Sequence, residues 1–261
     1  MADHGLLHDL RLMNRRQLLG LLGITSLIPI IGCSDTNADG PDAATADGSG
    51  SAACNTTVPT ETAGPYPGDG TNGANALALA GVVRSDIRAS FGTASAVAAG
   101  EPLTVTLTIN KASTCEPLVG YAVYIWHCDR DGNYSMYAAA IANENYLRGV
   151  QVTDANGQVT FTTVFPGCYS GRWPHIHFEI YPTLASASNG ANKVAVSQLA
   201  LPKATCDVVY ATTGYSASVS NLSHVTLAND NVFSDGATLE TPDIAGSVGA
   251  NLTASLGVSI A

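Results

Sequence analysis

The chain has 261 residues, 46% of them hydrophobic and 12% charged, and a formal net charge of −10 at pH 7. From Cys33 onward eight Lys and Arg stand against nineteen Asp and Glu, a balance that excludes nucleic acid and anionic lipid as direct partners. The 208 residues from Cys54 to Ala261 show no internal repeat and suffice for one all-β domain with a core of its own.

The start reads as an address. Met13 to Cys33, MNRRQLLGLLGITSLIPIIGC, places Arg15 and Arg16 before an apolar run, Leu18 to Ile31, that falls short of the ~20 residues a membrane-spanning helix needs. This predicts a twin-arginine signal peptide. Ile30-Ile31-Gly32-Cys33 resembles a bacterial lipobox, so Cys33 is expected to carry a lipid and the domain to lie outside the cytoplasm. Met13 is an alternative initiator. The twin-arginine route carries folded proteins, which suits a domain loaded with metal before export. Residues 34–53 hold no large apolar side chain and predict a flexible tether. The expected organisation is therefore signal peptide 1–33, tether 34–53 and folded domain 54–261.

In the domain, Thr60 to Pro67 (TETAGPYP) is a Pro/Gly loop carrying Tyr66, either a surface turn with an aromatic plug or a substrate contact. Between Leu77 and Ala99 only VVRSDIR gives a firm signal. Leu103 to Asn110 alternates strictly and predicts a strand. Val119 to His127 predicts a second strand, apolar on both faces and so buried. His127 ends it as an expected hydrogen-bonded structural group. Asp129 to Gly132 then turn and deliver Tyr134, with Tyr137 close behind. Ala138 to Tyr146 is a loop expected to border the pocket. A strand starting at Leu147, the turn Thr153 to Gly157 and a strand from Val159 to Val164 predict a hairpin, on the strength of Asn156-Gly157. Lys193 to Leu201 predicts a further strand. Beyond it, NLSHVTLANDNVFSD and IAGSVGANLTASLGVSI read as edge or hairpin strands, with His224 exposed and inert.

Cys54, Cys115, Cys128, Cys168 and Cys206 are disulfide candidates in an exported domain, an odd number that leaves at least one unpaired. No CxxC zinc pattern occurs. Cys168 is expected to anchor its turn through a disulfide.

The chemistry concentrates in Leu147 to Tyr181, LRGVQVTDANGQVTFTTVFPGCYSGRWPHIHFEIY. At its end His175, His177, Glu179 and Tyr181 alternate with Ile176, Phe178 and Ile180, so both histidines share one face, their Cα atoms ~7 Å apart and close enough to grip one metal. Tyr169 and Arg172 precede them. A phenol with a pKa near ~10 is a poor ligand for divalent metals, but a hard trivalent ion such as ferric iron can take it as phenolate.

That segment, with the upstream ETAGPY and YIWHCDRDGNYSMY, resembles the catalytic domain of the intradiol ring-cleavage dioxygenases from about Pro59 to Tyr181, and more weakly to about Asp235. The resemblance implies an all-β fold, a β-sandwich of mixed or antiparallel sheets with long active-site loops. It implies Fe(III) held by Tyr134, Tyr169, His175 and His177, favouring Tyr134 over Tyr137. It implies a catechol-type substrate and O2, with Arg172 and Tyr169 in catalysis and Arg172, Gln198 and Tyr66 against the substrate. The product would be a muconate-type diacid. The family's N-terminal helical dimerisation region has no counterpart here, so no oligomeric state is implied. Two other readings stand beside it: an exported β-sandwich binding module without catalysis, and a cupin-like oxygenase using a divalent metal. Only the ferric tyrosinate reading requires a charge-transfer colour.

Overall fold

The computed structural model of the protein describes residues 54–261; the expected signal peptide, Cys33 and the tether lie outside the described residues. Among the described residues eight strands form two four-stranded sheets. The front sheet has the order β3 (Arg148–Val152), β2 (Ala122–Trp126), β5 (His175–Tyr181), β6 (Ala195–Ala200), and all its neighbours run antiparallel. The back sheet has the order β4 (Gln158–Val164), β1 (Pro102–Lys111), β8 (Ala250–Ile260), β7 (Asp243–Ser247). It is mixed, because β8 lies parallel to β1, with Val105 opposite Ala254 and Leu107 opposite Leu256.

Alternation builds the core. Leu103, Val105, Leu107 and Ile109 of β1 meet Ile176, Phe178 and Ile180 of β5 between the sheets, joined by Phe161 of β4 and Val258 of β8. An antiparallel sheet commonly leaves its other face to water. Here the outer face of the front sheet is also buried: Tyr124, Trp126, Val150 and Tyr181 pack with Leu77, Val82 and Tyr134. Every residue of β2 and β5 is buried as a result. The second layer belongs to loops, and between them and the sheet lies the histidine face of β5.

The structure corrects several expectations. The turn at 153–157 does not close a hairpin, because β3 and β4 lie in different sheets. Asp154 Oδ1 accepts hydrogen bonds from the backbone N–H of Asn156 (2.8 Å) and Gln158 (2.9 Å), and this tight Asx turn carries the chain over the edge of the sandwich. The apolar residues of β3 and β4 find different partners, β2 and β1, and that burial outweighs the local preference of Asn-Gly. The segment after β6 holds two helices, α1 (Lys203–Tyr210) and α2 (Ser216–Leu222), and single 3-10 turns where NLSHVTLANDNVFSD was expected to be strand. Cys206, Val209 and Tyr210 share the buried side of α1, the helical spacing that the short polar-apolar alternation obscured. The second quoted stretch does form a hairpin, β7 with β8.

The cysteine reading also changes. Cys54 and Cys115 form a disulfide with Cα atoms 5.3 Å apart, and Cys128, Cys168 and Cys206 are buried thiols. Cys168 therefore does not anchor its turn covalently. Hydrogen bonds from the helical segment do so: Tyr215 donates to the Phe165 carbonyl (2.7 Å), Tyr210 to Pro166 (3.1 Å) and Asn221 to Cys168 (2.7 Å), while the Cys168 N–H donates to Ser218 Oγ (2.9 Å). His127 is structural as expected. Its Nδ1 donates to the Cys128 carbonyl and its Nε2 accepts from Thr163 Oγ1, both at 2.7 Å, and burial lowers its pKa to about 4.

Candidate active site

His175 and His177 occupy the outer face of β5, with their Nε2 atoms 3.1 Å apart. Tyr134 arrives from the turn after β2, which Asp129 shapes by accepting the N–H groups of Asp131 (3.0 Å) and Asn133 (2.9 Å). Its phenol oxygen lies 3.2 Å from His175 Nε2 and 3.4 Å from His177 Nε2. The Tyr169 oxygen, presented by the buttressed turn before β5, lies 3.3 Å from His175 Nε2. Three chain segments thus bring two phenol oxygens and two imidazole nitrogens to one point. Tyr137 is not part of this cluster: its hydroxyl donates to Asn72 Oδ1 (2.7 Å) and accepts the Gly68 N–H (2.8 Å).

The surroundings keep both imidazoles neutral. His175 Nδ1 donates to the Trp173 carbonyl (2.5 Å), which leaves the Nε2 lone pair facing the cluster. His177 stacks on Trp126, its partner across β2 and β5, at 4.7 Å and 4°. Burial lowers both pKa values, helped next by Arg172 at His175, which falls to about 3, and by His175 and then Arg172 at His177. Burial, then Tyr169, raises the Tyr134 phenol well above its ordinary value, so only a strong Lewis acid would ionise it. Among the described residues no three His, Cys, Asp or Glu side chains gather to hold a metal ion. The two imidazoles have phenols to complete their set. Ligands ~2.1 Å from a shared ion sit roughly 3.0–3.5 Å from each other, the spacing found here, so the residues fit a hard trivalent metal.

Arg172 is nearly enclosed beside the cluster. Its Nε donates to Asp230 Oδ2 (3.0 Å) and its Nη2 to Gln198 Oε1 (2.8 Å). Gln198, in register with His177 across β5 and β6, in turn donates to the Thr62 carbonyl (2.8 Å). Burial works against the guanidinium charge, but Tyr169 and Asp230 beside it hold its pKa above the ordinary value. Tyr66, on the loop that Thr62 opens, sets its ring 5.1 Å from those of Tyr134 and Tyr137.

Sequence reasoning missed Asp230. This carboxylate is fully buried, and besides Arg172 it accepts the N–H groups of Trp173 (2.6 Å), Val232 (2.8 Å) and Phe233 (3.1 Å). An Asp opening a turn was visible in ANDNV, but nothing in the chain pointed to Arg172, 58 residues away.

Residues 88–183 match a family model described as Dioxygenase. The fold is similar to that of an intradiol ring-cleavage dioxygenase from Tetranychus urticae, with a TM-score of 0.60 and 27% identity over 78% of this chain and 94% of that one. In that segment and in fold the chain is similar to the intradiol ring-cleavage dioxygenases. A curated relative, the chlorocatechol 1,2-dioxygenase of Rhodococcus opacus, is 34% identical over 83 aligned residues, covering 24% of this chain and 32% of that protein, about a third of its length.

Proposed function

We propose that this domain takes a catechol-type substrate and O2 and opens the ring between its two hydroxylated carbons. Catechol and O2 together contain the atoms of the product, a muconate-type diacid, so both oxygen atoms are retained and no further reductant is needed. The observation that carries this reading is the convergence of the Tyr134 and Tyr169 oxygens with two Nε2 atoms at 3.1–3.4 Å. Tyr134, Tyr169, His175 and His177 would hold Fe(III), which supplies a strong Lewis acid and a centre through which catechol and O2 exchange electrons.

The chain's own groups divide the remaining work. Tyr169 is less buried than Tyr134, and its oxygen, which the metal would hold as phenolate, would be the base that receives a proton from a substrate hydroxyl and leaves as the neutral phenol. Tyr134, His175 and His177 are enclosed and stay in place. Arg172 holds a permanent positive charge beside both tyrosines, where it stabilises negative charge developing on the ring. Asp230 and Gln198 fix its direction. Tyr66 offers an aromatic wall.

The visible spectrum of the purified, iron-loaded protein tests this, before and after anaerobic addition of catechol. We expect a broad band that moves to longer wavelength with catechol and weakens in Tyr134→Phe or Tyr169→Phe. Bound iron without colour would sink the proposal.

We also place the domain outside the cytoplasm, anchored by lipid at Cys33. The twin arginines and lipobox support this, as does the Cys54–Cys115 disulfide, a bond that persists in oxidising compartments. Radiolabelled fatty acid should enter the wild type and not Cys33→Ala; equal labelling of the two would refute the anchor.

A further inference from the structure

Arg148, 1% exposed on β3, takes no part in the reaction proposed above. Its Nε donates to Ser135 Oγ (3.1 Å). Nη1 donates to the Pro67 carbonyl (2.8 Å) and the Tyr124 hydroxyl (3.1 Å), and Nη2 to the carbonyls of Tyr66 (3.0 Å) and Ser135 (2.9 Å). All five acceptors are neutral oxygens. Glu179 lies opposite Tyr124 across β2 and β5, but it is engaged by Tyr181 (2.5 Å) and Lys193 (2.9 Å). A buried cation without an acidic partner is an expensive way to stabilise a fold, since apolar side chains of similar volume would serve as well or better.

What Arg148 accomplishes is the joining of two segments. Two of its bonds hold Ser135, the residue after Tyr134; two others hold the backbone of Tyr66 and Pro67. The Tyr137 ring lies 5.4 Å from the guanidinium, and the Tyr137 hydroxyl takes the Gly68 N–H. Gly68 sits at φ +59°, and a Cβ there would meet Nη1 at 2.7 Å, so the loop backbone lies directly on the guanidinium. The Tyr66 and Tyr134 rings then meet at 5.1 Å.

We propose that Arg148 is a positioning residue that registers the Tyr66–Gly68 loop against the Tyr134 turn, seating Tyr66 as the wall of the catechol site. The coupling of the two segments stands on geometry alone; its effect on substrate binding rests on the function proposed above.

Hydrogen exchange on the metal-free protein tests the coupling, and steady-state kinetics on the iron-loaded protein test its consequence. In Arg148→Met, peptides covering 60–72 and 134–146 should both exchange about tenfold faster or more, while β1 and β8 keep their protection. Gly68→Ala retains the charge but displaces Nη1, and should loosen the same two segments. Its KM for catechol should rise about tenfold with kcat within a few fold, because a misplaced wall weakens binding more than chemistry. Arg148→Lys, which keeps a charge but not the fork, should restore neither.

Unchanged exchange in both segments, loosening of only one, or uniform loosening of the domain with wild-type KM would overturn the proposal. Should Arg148→Met fail to fold, Gly68→Ala decides by the same readouts. A wild type that turns over no catechol would remove the proposed function and leave the exchange result to judge the coupling.

Discussion

The carbonyl of Trp173 fixes the tautomer of His175, and the carboxylate of Asp230 fixes the direction of Arg172. Both are buried hydrogen-bond partners that never reach the cluster themselves, and both turn a side chain of the right type into one with a defined orientation. Asp230→Ala should destabilise the domain by about 3–5 kcal/mol, because it strands a buried guanidinium without its partner. Chemical denaturation measures this. Asp230→Asn keeps the shape and most backbone bonds, so the fold should lose less while kcat/KM falls as Arg172 loosens. An Asn variant with wild-type kinetics would show that the pair is structural only.

At the scale of elements, β5 has two functions on its two faces. Its even-numbered residues, Ile176, Phe178 and Ile180, hold the sheets together, and its odd-numbered residues carry His175 and His177. The core side of the strand therefore sets the precision of the site side. Phe178→Ala should cost roughly 3–5 kcal/mol in denaturant unfolding, a transfer loss plus the cavity left between the sheets. A cost under about 1 kcal/mol would mean that the sandwich collapses onto the gap. The helices α1 and α2 contribute differently: their side chains grip the carbonyls of 165–168 and so present Tyr169.

For the whole molecule, pH and redox state are the relevant controls. Burial raises the pKa values of Glu61 and Glu179 to about 7 and of Glu240 to about 8. The folded state thus keeps protons that the unfolded chain releases above about 4.5, and stability falls as pH climbs from there toward 8. Glu240, whose Oε1 accepts the Ser197 hydroxyl (2.9 Å), should show this most clearly. Glu240→Gln should gain in Tm relative to wild type as pH rises from about 5 to 8, and a constant difference would contradict the assignment. His127 acts at the other end: the unfolded chain takes up its proton below about 6.5, so stability is lost as pH falls toward 4. The disulfide closes 61 residues, tying the start of the domain to the segment between β1 and β2. Its removal in Cys54→Ala/Cys115→Ala should cost about 2–4 kcal/mol, read from the denaturation midpoint.

The sequence by itself determined the strands whose alternation is strict, β1, β5 and the β7–β8 pair, together with the face that His175 and His177 share. Period-2 patterning is a local property, whereas Tyr134, Tyr169, Arg172 and Gln198 were singled out by the resemblance to the intradiol dioxygenases. Only the tertiary structure decided which segments meet. It sent β3 and β4 to opposite sheets despite Asn156-Gly157, left Cys168 a thiol and turned Tyr137 away from the cluster that Tyr134 joins. It also set Asp230 on Arg172 and Arg148 under Tyr66. Each of these is a contact between residues distant along the chain, chosen by which burial and hydrogen bonding could be satisfied at once, and no local window of sequence carries that information.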